Sequence, residues 1–168
     1  MTPPASRIER PKLLAFLPQR LFTAARPVGY LALAWPLVTL PALLLSAGAT
    51  ALLGEGANPD FPQKGLTLVA LLVLFAPMLE TLIMGAVLEV LRRIVGFAPA
   101  VLLSAAGWGI AHSLSAPAWG LVIWWPFLIF STLYVTWRGE GRGKALAIVA
   151  SVHALNNLIP ALLLLRSA

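Results

Sequence analysis

Residues 66–91 read LTLVALLVLFAPMLETLIMGAVLEVL. The run is long enough to cross a bilayer as a helix, which takes about 20 apolar residues. Yet Glu80 sits near its middle. A carboxylate in hydrocarbon costs several kcal/mol unless it is neutralised, paired or wetted. A chain that keeps such a residue must fold so that something polar meets it.

The rest of the sequence has the same character. Sixty per cent of it is apolar, 11% is charged and the mean hydropathy is +0.88. A soluble domain is nearer 45–50% apolar and about 25% charged. These values predict an all-α, polytopic membrane helix bundle of about five transmembrane helices, preceded by a basic N-terminal interfacial segment. The segment is expected over 1–28 and the bundle over 29–168, with the candidate catalytic core at 66–160. The net charge of +6 lies at the ends of apolar runs, where it orients the chain and meets lipid head groups; it does not indicate nucleic acid. With no cysteine in the chain, disulfides, thiolate catalysis and cysteine metal sites are excluded.

The stretch PKLLAFLPQRLFTAARP alternates basic and apolar residues at roughly helical spacing, broken by Pro18. It is expected to lie on the membrane surface. Spans follow at about 29–53, 66–91, 98–114, 119–137 and 145–165. The first also carries the small residues Ala47-Gly48-Ala49 of a signal-peptide end, but its apolar run exceeds the usual 7–15 residues. The loops at 54–65 and 115–118 are not basic, whereas the N-terminal stretch, Arg92-Arg93 and the segment 138–144 are. The positive-inside rule then puts the N-terminus in the cytoplasm.

Few strongly polar residues fall inside the spans: Glu80, Glu89, His112, His153, Asn156 and Asn157. Glu89 precedes Arg92 and Arg93 by three and four residues, a spacing that permits a helical ion pair. The others lie deeper. At 1.5 Å per residue, Glu80 is about 18 Å from Arg92, His153 about 14 Å from Lys144 and His112 about 21 Å into its span. One carboxylate and two imidazoles on three helices therefore share one slab of the membrane, where polar groups gain by facing each other. Asn157 follows His153 by four residues and Trp108 precedes His112 by four, so each pair shares a helix face. Singly, a buried His or Asn is commonly interhelical packing glue. Together they are residue types that move protons or hold an oxyanion.

The stretches 76–85 (APMLETLIMG), 108–112 (WGIAH) and 153–157 (HALNN) resemble, in order and spacing, the three motifs of the CaaX protease and bacteriocin-processing family, also called the ABI family. Those motifs are Glu-Glu-x-x-x-Arg, Phe-x-x-x-His and His-x-x-x-Asn or Asp. The resemblance covers about residues 66–160. It implies an intramembrane peptidase of glutamic type with no cofactor and no metal. Glu80 would be the base, His112 would hold the water, and His153 and Asn157 would face the oxyanion. Partners would be membrane lipids and a peptide or membrane-protein substrate, prenylated or bacteriocin-like, in a bacterial inner membrane, with water entering from the cytoplasm. Thr81 stands where the family has its second Glu and Gly85 where it has Arg. Sliding the register by one, to Leu79-Glu80 and Met84, also leaves the Arg missing. The alternative is therefore an inactive family member acting as a membrane scaffold or accessory subunit. The residue types also permit a zinc site of Glu80, His112 and His153, or a proton-conducting relay.

Overall fold

A computed structural model of the chain describes residues 7–24 and 26–166. Residues 1–6 of the expected interfacial segment, Ala25 and residues 167–168 lie outside the described part. Five helices of 17 residues or more make up the described bundle: α1 (Pro27–Leu53), α2 (Gly65–Ile94), α3 (Phe97–Ser113), α4 (Pro117–Trp137) and α5 (Arg142–Arg166). The only strand-like pairing among the described residues is an isolated antiparallel bridge between Arg7 and Thr23. The architecture is the all-α membrane bundle that the composition predicts. Helix ends differ from the expected spans by a turn at most, with Pro27 and Pro117 opening α1 and α4, where a missing N–H costs nothing.

Helices α1, α2, α4 and α5 are each long and apolar enough to span a membrane. At 17 residues, α3 covers only about 25 Å. It lies along α4 at close range. A Cβ on Gly120 would stand 2.5 Å from the Gly109 carbonyl, and one on Gly109 would stand 3.1 Å from Trp124. Small residues of this kind let membrane helices approach backbone to backbone. The Ser131 hydroxyl donates to Ser104 at 2.9 Å across the same seam. Helix α4 forms the axis of the bundle, buried at every residue from Pro126 to Trp137.

Two prolines shape the other helices. Pro41 lies four residues after Leu37 and has no N–H to offer its carbonyl. Trp125 Nε1 of α4 donates to that carbonyl instead, at 3.0 Å. In α2, a π-helical turn at Leu71–Phe75 precedes Pro77, and the Ala76 N–H reaches back to the Leu71 carbonyl. In that register the Leu72 carbonyl would look to residue 77, which is proline. It too is left without a donor from its own helix, and α5 supplies one, as described below.

The bundle is closed at the end carrying the basic loops. Residues 7–24 do not form one helix, because Pro11 and Pro18 each stand before a short 3₁₀ turn. The segment tucks Leu14, Leu17, Leu21 and Phe22 into the core. Tyr30 donates its hydroxyl to the Leu21 carbonyl at 2.6 Å, and the Phe22 ring meets Phe97 edge-on. At the same end Glu89 receives Arg92 at 2.9 Å, as its helical spacing predicts. It also takes Arg138 at 2.5 Å, Arg142 at 3.7 Å and the Tyr134 hydroxyl at 3.1 Å. One carboxylate thus ties the α2–α3 end to the α4–α5 turn.

Candidate active site

Above the closed end, residues of all five helices line a cavity of about 440 Å³. Glu80, His112, His153, Asn156 and Asn157 line it, together with Thr39 of α1 and Trp119 of α4. The carboxylate and both imidazoles, brought to one depth by helix arithmetic, therefore share one chamber. Glu80 Oε2 lies 3.6 Å from His153 Nε2, with the histidine side chain 4% exposed and the glutamate 24%. That separation is longer than a hydrogen bond and within the range of an ion pair. Among the described residues no Lys or Arg pairs with Glu80.

Aromatic rings hold the two histidines. Phe130 stacks on His153 at 4.5 Å, and Phe127 meets it edge-on at 5.6 Å. Phe127 also stacks on Trp108 at 4.3 Å. Trp119 stands edge-on to His112 at 4.7 Å. His112 Nδ1 lies 2.9 Å from the Trp108 carbonyl, one helical turn back. A carbonyl only accepts, so Nδ1 carries the proton and Nε2 is left as a bare acceptor. Gly109, three residues before His112, is the close-approach point of α3 on α4, so the seam between these helices sets where the ring stands.

Asn157 reaches the other way. Its Nδ2 donates at 3.0 Å to Leu72, the carbonyl stranded by the π turn and Pro77. This uses one of its two N–H groups and leaves the second. Its Oδ1 accepts from Asn156 Nδ2 at 3.2 Å, and Asn156 Oδ1 accepts from the Thr39 hydroxyl at 3.2 Å. The chain of bonds has one direction. Because Leu72 can only accept, each amide must turn its nitrogen towards α2, and Thr39 must donate. Thr39 and Asn156 are buried and belong to the site as much as Asn157 does. Asn156 stands out in the sequence as a deep polar residue, but a threonine in an apolar helix carries no signal of its own.

The positions at which the sequence departs from the Glu-Glu-x-x-x-Arg pattern are both buried. The Thr81 hydroxyl finds no partner among the described residues. Gly85 lies under the Tyr134 ring, where a Cβ would come within 2.9 Å of the ring edge. Among the described residues no three His, Asp or Glu side chains form a metal-binding group.

A family model described as type II CAAX prenyl endopeptidase Rce1-like matches residues 62–159, more than half of the chain. The chain belongs to this family. No curated protein and no solved structure matches it. The Rce1-like region runs from the loop before α2 to Ile159 in α5, and so contains Glu80, His112, His153 and Asn157. It leaves out α1, and with it the Thr39 end of the hydrogen-bond chain. As an Rce1-like protein with four helices fit to span a bilayer, the molecule is an integral membrane protein of the CAAX-type intramembrane protease kind.

Proposed function

We propose that the chain is an active peptidase that uses Glu80 to draw water onto a peptide carbonyl within the membrane. The observation that carries this reading is the Glu80–His153 approach of 3.6 Å inside a chamber shared with His112. His112 Nε2, bare because Nδ1 is tied to Trp108, accepts one hydrogen of the water. Glu80 takes the other as the water oxygen bonds to the carbonyl carbon. The oxyanion then meets His153 Nε2–H and the second N–H of Asn157. Glu80 passes its proton to the departing nitrogen as the C–N bond breaks. No covalent enzyme intermediate forms. The substrate is a peptide or membrane protein, of the prenylated or bacteriocin-like kind that the family resemblance suggests.

The second reading is an inactive relative that keeps the fold as a scaffold. It is favoured by the glycine lodged under Tyr134 where the family carries Arg. The two are separated by comparing C-termini and cleavage fragments across a membrane proteome for wild type, Glu80→Gln, His112→Ala and His153→Ala. The peptidase reading expects the same fragments to disappear in all three. Glu80→Gln should lower cleavage by about 10²–10⁴-fold, the size of a general-base contribution, with no fall in melting temperature. Fragments unchanged in all three variants would leave the scaffold.

A further inference from the structure

The cavity and the arginines lie at opposite ends of the bundle. Of the twelve Lys and Arg, ten belong to the 7–26 segment, the α2–α3 turn or the α4–α5 turn, and only Lys64 and Arg166 to the other end. Every cavity-lining residue stands on the far side of this charge. In α1 these residues begin at Thr39 and run towards its C-terminus, and in α4 they end at Pro126. Asn58 and Phe61 of the 54–64 loop also line the chamber. Phe61 rests edge-on against Trp119 at 5.7 Å, and Trp119 against His112. Below Glu80 the interior is filled by side chains, with Met84, Leu88, Phe130 and Leu133 fully buried, the small hydroxyl residues Ser131, Thr132 and Thr136 buried among them, and residues 7–24 folded underneath.

Positive charge marks the cytoplasmic ends of membrane helices. We propose that water and substrate reach Glu80 from the non-cytoplasmic face, past the 54–64 loop, and that the cytoplasmic end is a closed floor. This reverses the cytoplasmic route expected from the sequence, because the chamber lies between the halves of the helices away from the basic turns and is lined by the 54–64 loop. What enters rests on the peptidase reading and narrows its two substrate kinds to one: a peptide presented from the outer side, belonging to an exported, bacteriocin-like or membrane-anchored chain, with the prenylated cytosolic C-terminus set aside. The route itself does not depend on turnover.

The absence of cysteine makes the test direct. Single cysteines are introduced at Ser46 and Leu163, which line the cavity, at Gln63 in the loop and at Lys144 at the basic end. Intact cells are treated with the membrane-impermeant probe methanethiosulfonate ethyltrimethylammonium, before and after permeabilisation. The expected result is that Ser46→Cys, Leu163→Cys and Gln63→Cys are modified in intact cells, whereas Lys144→Cys reacts only after permeabilisation. The same pattern in a Glu80→Gln background keeps the outcome independent of peptidase activity. Cavity cysteines that react only from the Lys144 side, or from neither side, would overturn the route. Lys144→Cys reacting in intact cells would overturn the orientation.

Discussion

A single residue in the wrong solvent organises this site. Glu80 was legible because a carboxylate in the middle of an apolar run demands company, and the depths of His112 and His153 supplied it. Thr39 was not legible, since threonine in a membrane helix commonly bonds within its own turn. Its part emerges only when Leu72 is seen to need a donor. Thr39→Val removes that hydroxyl at nearly constant volume and leaves the buried Asn156 Oδ1 without its partner. It should cost about 1–3 kcal/mol in unfolding from detergent. If Asn157 presents its second N–H to substrate, the same change should lower turnover more than it raises KM. Gly85 invites the opposite experiment. Replacing it with the family's arginine places a Cβ at 2.9 Å from the Tyr134 ring, so Gly85→Arg should destabilise the bundle by about 1–3 kcal/mol and not raise activity. A stable, more active Gly85→Arg would show that Tyr134 yields easily.

At the scale of helices, prolines matter more than their number suggested. From the sequence, fourteen prolines looked ordinary for membrane helices, and Pro41 and Pro77 could not be told from the rest. In the bundle these two leave the carbonyls of Leu37 and Leu72 without donors of their own. Trp125 and Asn157 reach across from other helices to meet them. In hydrocarbon such a group must be satisfied internally, so each proline fixes a contact between helices. The coupling is measurable by a double-mutant cycle. Pro77→Ala returns an N–H to α2, and Asn157→Leu should then be less harmful to stability than it is in the wild type, by about 1 kcal/mol. Equal costs in the two backgrounds would mean that Asn157 does not serve the π turn. The seam between α3 and α4 was hidden for a similar reason: glycine is frequent in membrane helices, and only the packing singles out Gly109 and Gly120.

For the whole molecule, hydropathy alone was enough for the class of fold and for five apolar helices, of which four are long enough to span a membrane and α3 is shorter. The folding of residues 7–24 against the bundle was not readable. Its basic and apolar residues suit a membrane surface equally well, and only contacts with Phe97 and Tyr30 distinguish the two. If the segment is part of the core, Phe22→Ala should cost about 3–5 kcal/mol in detergent, as a core truncation does. A surface-lying segment would show almost no change. The end of the bundle in which the chamber lies was likewise beyond the sequence, which offers depth along each helix but not where the empty space lies between them. On the proposed route, that asymmetry, hollow on one side and filled on the other, would also keep the bundle from conducting ions. A hydrolase that opened to both compartments would leak ions and dissipate the gradient its host maintains. With the interior below Glu80 filled by side chains, a proton released by the proposed peptidase would return to the compartment that supplied the water, and turnover would proceed without discharging the membrane.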